Sequence, residues 1–197
     1  MTLDAGKTII PFRGNVLLAD TDTPPINITN FVIGDESTYT GWLSVGHTSR
    51  ENTVALEKDG GDAEQKGSWE DEGLDAVYEP TAWSATVNAL QMAKETFELA
   101  FPGGEWDEED QAYDVGNIGT VEKAVQVIFA PGDKRAGFYM PRGQITLGDA
   151  PELDVEEFFE LQLRIQALSS QKTRRRFRWF ATRPYAPLVT EPAPAGA

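Results

Sequence analysis

The sequence predicts a mainly β protein with antiparallel strands, one flanking α-helix, long loops and extended termini, and three observations carry that expectation. FELQLRIQAL, residues 159 to 168, alternates Phe159, Leu161, Leu163, Ile165 and Ala167 with Glu160, Gln162, Arg164 and Gln166. This strict period of two gives a strand one apolar and one polar face. Several other apolar runs are short and bounded by glycine, proline, asparagine or aspartate, the punctuation of strands. One segment, ALQMAKETFELAF at 89 to 101, instead repeats Leu90, Ala93, Phe97 and Phe101 near a period of 3.6.

In chain order, RGNVLLA (13 to 19) and WLSVGH (42 to 47) read as strands. Between them, 20 to 41 holds Pro24-Pro25, several Asn, Asp and Thr residues and little periodicity, so it reads as a long loop or arm. With the chain's end it is expected to supply a segment that orders only against a neighbouring copy, and to be dispensable for folding. TVALEKD, Gly60-Gly61 and DAEQKGSW read as a hairpin, since Gly-Gly supplies the positive φ values of a two-residue primed turn. Residues 74 to 88 read as extended chain, with Trp83, Ala85 and Val87 on one face and Ser84, Thr86 and Asn88 on the other. Asn88 is placed to cap the helix and Pro102-Gly103-Gly104 to stop it. GEWDEEDQAYD follows as an acidic loop, then come strands at 121 to 130, 135 to 141, 143 to 148, 159 to 168 and 173 to 181. One domain over 1 to 185 is expected, with 186 to 197 a flexible proline-rich tail.

Composition narrows the functional classes. A chain of 197 residues can bury a sizeable core without covalent staples, and the absence of cysteine removes disulfides, thiolate zinc sites and thiol nucleophiles together. The net charge of -15 is local: 51 to 114 holds 18 acidic and 3 basic residues, and the remainder has 14 of each. Such a surface argues against gripping DNA, because affinity for the phosphate backbone depends on lysine and arginine displacing counterions. MTLDAGKTII lacks the basic start and apolar core of an export signal, and no window nears the ~18 apolar residues of a membrane span. The chain is expected to be made and kept in the cytosol, with no cofactor and no membrane partner.

Four groups of residues invite a chemical reading. His47, Ser49 and Glu51 superficially offer triad chemistry, but they alternate along one extended stretch, whereas a triad needs base, nucleophile and acid to converge. Ala5-Gly6-Lys7-Thr8 echoes the end of a phosphate loop, yet Met1 stands where the pattern needs its first glycine. Asp107, Glu108, Glu109 and Asp110 lack the alternating ligands and central glycine of an EF-hand loop and read as a solvated run. With Trp69 and Trp106 these acids supply the alternative reading, a β-sandwich that binds carbohydrate or hydrolyses glycosides. Lys172, Arg174, Arg175, Arg176 and Arg178 form a basic cluster interleaved with Phe177, Trp179 and Phe180. At strand period Arg174, Arg176 and Arg178 would share one face and present a cationic row to the carboxylates of another subunit.

Gly46-His47-Thr48-Ser49-Arg50-Glu51-Asn52, Gly60-Gly61 and Gly67-Ser68-Trp69 carry a family likeness. The run 41 to 69 resembles the signature region of the major tail proteins, the tail-tube subunits of long-tailed, non-contractile bacteriophages, particularly those infecting actinobacteria. The likeness is sharp over these residues and extends in element order across 13 to 181. It implies an antiparallel β-sandwich or open barrel that assembles in the host cytoplasm as hexameric rings, stacked into the tube of the virion tail. Its partners would be itself and other tail proteins at the tube ends, with DNA passing through without specific binding. On this reading the polar face of 159 to 168 lines the bore through Glu160, Gln162, Arg164 and Gln166. His47, Arg50, Glu51, Arg174, Arg176, Arg178, Asp107, Glu108, Glu109 and Asp110 become contacts between subunits, and no residue is catalytic or holds a metal.

Overall fold

The computed structural model describes residues 3 to 187, apart from 67, 71, 72, 74 and 118. Its strands are β1 Gly14–Ala19, β2 Leu43–Ser44, β3 Ala55–Asp59, β4 Ala63–Lys66, β5 Asp75–Tyr78, β6 Ala82–Ala89, β7 Glu105–Asp107, β8 Ala112–Asp114, β9 Val121–Phe129, β10 Lys134–Leu147, β11 Leu161–Ala167 and β12 Arg178–Pro184. The helix, α1, is Lys94–Ala100. One open antiparallel sheet runs β2-β1-β9-β10-β11-β6-β3, and β12 lies beside the first half of β10. β10 changes partner along its length: Lys134 to Tyr139 faces β12, and Gly143 to Leu147 faces β11. A register shift against β9 between Met140 and Gly143 marks the changeover. Pro141 sits in that bulge, where a missing amide costs no ladder bond. The runs at 135 to 141 and 143 to 148 are therefore one strand.

Both faces of β1 and β9 are covered, because a period of two sends alternate side chains to opposite sides. Val16, Leu18, Val125 and Val127 join Val87, Phe138, Met140, Ile145, Leu163 and Ile165 in one core, closed by Ala100 of α1. Leu17, Ala19, Ala124 and Ile128 face the other way, onto Ile28, Phe31, Tyr39 and Trp42. That second cover is the segment expected to be a free arm. It carries only 3-10 turns at Ile28–Asn30 and Glu36–Tyr39, yet Phe31 is 0% exposed.

Three polar side chains of the sheet hold the cover in place. Gln126 accepts from the Ile26 amide at 2.9 Å and donates to the Ile26 carbonyl at 3.2 Å. The Tyr139 hydroxyl donates to the Thr23 carbonyl at 2.7 Å, and Arg135 Nε donates to the Phe31 carbonyl at 2.9 Å. Burial, with nearby Asp22, pushes the Tyr139 hydroxyl up to about 12, so it stays protonated as a donor.

Elsewhere the fold corrects the reading of the sequence. Gly60 and Gly61 have the expected positive φ values of 69° and 82°, but 55–59 does not turn back on 63–66. β3 pairs with β6 and β4 with β5, because β6 offers Ala85 opposite Leu56 whereas AEQK offers no apolar partner beyond its alanine. The pairing keeps one register across the glycines, Asp59 opposite Ala82 and Ala63 opposite Tyr78, so β3 to β6 form one long ribbon bent at Gly60-Gly61. Its outer half, β4 and β5, is exposed on both strands. The helix loses its expected first turn because Asn88 and Ala89 pair with Gln162 and Leu161 in the sheet. The acidic loop is a small hairpin, β7 with β8. Residues 42 to 47 keep only two strand residues, since Gly46 at φ 91° ends the extended run. The last strand starts at Arg178, because the Ser170 hydroxyl accepts from the Lys172 and Thr173 amides and turns the chain, leaving Arg174 at φ 60°. Of the tail, Ala186 donates to the Thr29 carbonyl at 2.8 Å, and the part from 188 lies outside the described residues.

Phe31→Ala removes a buried ring from the cover and should lower the unfolding free energy of the unassembled protein by about 3–5 kcal/mol in urea melts. A loss below about 1 kcal/mol would make the segment a free arm after all. At the β10 bulge, Arg142 forks onto Glu122 through two bonds of 2.7 Å. Those bonds hold the Glu122 carboxyl below the usual 4.5. The stability they contribute is complete above that value and lost as the pH falls through the depressed one. Glu122→Gln should therefore be less stable than the parent at neutral pH, with the gap closing below 4.5. A gap that stays constant on acidification would deny the ionised pair any share in stability.

Candidate functional site

The polar face of the sheet is built by register. Arg164 stands exposed at the centre of β11 between half-buried Gln162 and Gln166. Across the strands it falls in a row with Thr146, Thr86 and Ala55, and Gln166 in a row with Gln144, Ser84 and Glu57. An open groove of about 560 Å³ lies over this face, lined by Asn52, Thr86, Asn88, Thr146, Gln162 and Arg164 among others. Its amides are held in place: Gln162 accepts from the Asp149 amide at 2.8 Å, and Gln166 donates to the Trp83 carbonyl at 3.0 Å. Glu160 sits one residue before the strand, accepting from the Asn52 side chain at 2.9 Å. Gln162, Arg164 and Gln166 thus share one face, with Glu160 at its end. Ser84, Thr86 and Asn88 extend that face as their alternation foretold. Glu57 and Asn52 were missed, since only pairing with β6 brings them there.

The GHTSREN stretch closes one end of this face as a turn. A side chain at Gly46 would overlap the Gln91 amide, which accepts from the His47 amide at 3.2 Å. The Leu90 amide donates to the His47 carbonyl at 2.9 Å, and Thr48 forms a single bridge with Ala89. Ser49 is buried, and its hydroxyl accepts from the Asn52 amide at 3.0 Å. It closes a turn, while His47, Arg50 and Glu51 remain exposed around it.

The charged candidates lie on separate elements. Asp107 ends β7 and accepts from the amides of Glu109 and Asp110, which ties the acids into a tight turn. Lys94 lies 3.3 Å from Glu108, and bonds from Lys94 and Trp106 hold that carboxyl below its ordinary range. A glycosidase acid needs the opposite shift. Arg174, Arg176 and Arg178 form no single row: Arg174 is in the turn, Arg176 donates to the Thr81 carbonyl at 2.6 Å, and Arg178 lies over Phe180 at 5.2 Å. Lys7 of the AGKT stretch belongs to a 3-10 turn whose carbonyls at Ala5 and Thr8 accept from Lys134.

The fold is thus an open β-sheet subunit with core behind it, a polar face in front, an exposed ribbon and an edge at β3 paired on one side alone among the described residues. Residues 1–191 match the family model described as phage tail tube protein. The major tail protein Gp23 of Mycobacterium phage D29 is 30% identical over 164 residues, covering 80% of this chain and 83% of the relative. The major tail protein Gp23 of Mycobacterium phage L5 is 32% identical over 133 residues, 67% of each chain. The chain belongs to the phage tail tube protein family, and its place is the tail of the virion. Among the described residues no helix is long and apolar enough to cross a membrane.

Proposed function

We propose that this protein polymerises as hexameric rings that stack into the tail tube, the conduit through which the genome leaves. What carries this reading is the polar face of β10, β11, β6 and β3, backed by core and ending at the edge of β3, which pairs on one side alone among the described residues. An open edge invites pairing with another chain, and closing copies into a ring satisfies it. Gln162, Arg164 and Gln166, with Glu160 at the end of the strand, line the bore. A wall of amides and hydroxyls with few cations displaces few counterions from the phosphates of DNA, so DNA slides without specific binding. His47, Arg50 and Glu51 meet a neighbouring subunit, as do Asp107, Glu108, Glu109 and Asp110 and the arginines 174, 176 and 178. Other tail proteins cap the tube ends.

Concentrated purified protein should show rings or tubes by negative-stain electron microscopy, and protein that stays monomeric counts against self-assembly. The chain has no cysteine, so Arg164→Cys adds a single exposed thiol. That thiol should react slowly with a bulky maleimide in tubes and fast in unassembled protein. Equal rates would remove this face from the bore.

A further inference from the structure

The loops at the two ends of β11 are opposites. The one before it, 149 to 160, holds Asp149, Glu152, Asp154, Glu156, Glu157 and Glu160 and no lysine or arginine. It also exposes Leu153 at 88%, Val155 at 101% and Phe158 at 81%, apolar surface that its own chain leaves in water. From the start of the strand onward, 161 to 187 contains no acidic residue, and in the loop after it Lys172, Arg174 and Arg175 are exposed, as is Arg178 beyond. Beside this basic loop lies a pocket of about 300 Å³ walled by Pro24, Pro25, Tyr139, Pro141 and Phe177. Lys172, Thr173, Arg175 and Arg178 also line it. Asp22, also in the wall, accepts from the Gln171 amide at 3.2 Å. The walls are fixed: Phe177 stacks on Phe138 at 5.2 Å and on Trp83 at 5.9 Å.

We propose that copies of this protein meet head to tail through these two surfaces, with Phe158 of one copy seated in the proline and aromatic pocket of the next. The proposal rests on the tube reading and names the contact between successive rings. A strand of seven residues separates the loops by roughly 20 Å, so the partner of each is a second copy. The surfaces differ, so the contact is heterologous and propagates as an open stack. An aromatic anchor in a rigid, desolvated pocket supplies affinity. Glu156 and Glu157 meet Lys172, Arg175 and Arg178 around it; such pairs are individually weak but fix orientation and speed encounter. Phosphate fits the basic rim but not the apolar floor, and DNA leaves the exposed Phe158 unexplained.

Phe158→Ala, at an exposed position, should leave the thermal midpoint of the unassembled protein unchanged and raise the critical concentration for tube formation about tenfold or more by light scattering. Lys172→Glu with Arg175→Glu should do the same, and adding Glu156→Lys with Glu157→Lys to that variant should restore assembly. Parent protein that forms no tubes would remove the tube reading itself. Parent tubes with an unchanged critical concentration in Phe158→Ala would overturn the docking alone, as would failure of the charge swap to restore assembly. Should Lys172→Glu with Arg175→Glu assemble normally but lose affinity for labelled duplex DNA, the basic loop is a nucleic-acid contact and the proposal is wrong.

Discussion

Gln126 is fully buried, and its amide is satisfied at both ends by one residue, Ile26, on a segment a hundred positions away. Leaving such a group unpaired inside a protein costs about 1–3 kcal/mol, so the sheet and its outer cover specify one another. Once Ile26 is placed, the chain from Asp20 to Trp42 can only run across the outer face, where Phe31 and Tyr39 meet at 5.9 Å and Trp42 packs edge-on against Tyr139 at 6.1 Å. The return of the cover sets β2 beside β1, with the Val45 amide donating to the Val16 carbonyl. The turn at 46 to 52 then falls at the end of β6. The far end of the polar face is thus positioned by a hydrogen-bonded pair on the opposite side of the sheet.

Much of this was legible from local pattern and some was not, for physical reasons. The alternation in 159 to 168 reports directly on a strand with one face in the core, and Leu161, Leu163, Ile165 and Ala167 are all buried. The outer cover had no such signature: Ile28, Phe31, Tyr39 and Trp42 follow no period because each is placed by the sheet surface beneath it. Gly60 and Gly61 reported their backbone angles correctly but not their partners, since pairing is decided by burial far along the chain. Asn88 looked like a helix cap and was taken instead by β11, where tertiary pairing outweighed local preference. The arginine row failed on the Ser170 turn, a side-chain to backbone contact that competes with extended structure.

Charge adds a second constraint. The acidic excess of 51 to 114 lies largely on β3 to β5 and on the β7–β8 hairpin, while 161 to 187 is purely basic among its charged residues. Packing many copies with a net charge of -15 is opposed by self-repulsion unless unlike surfaces meet or salt screens them, with a screening length of about 8 Å at physiological salt. Segregating the two signs within one subunit makes like-to-like contacts repulsive and head-to-tail contacts attractive.

The open ends of the sheet obey the same logic. β2 is an edge of only two residues, ended by the bend at Gly46, and offers little to pair with. β3 is a longer edge, but Glu57, Lys58 and Asp59 are exposed along it, and charged edges resist indiscriminate strand addition. A partner strand must therefore bring matching charges as well as free backbone groups. If copies assemble as proposed, an edge that accepts only a charge-matched partner keeps random aggregation from competing with ordered growth.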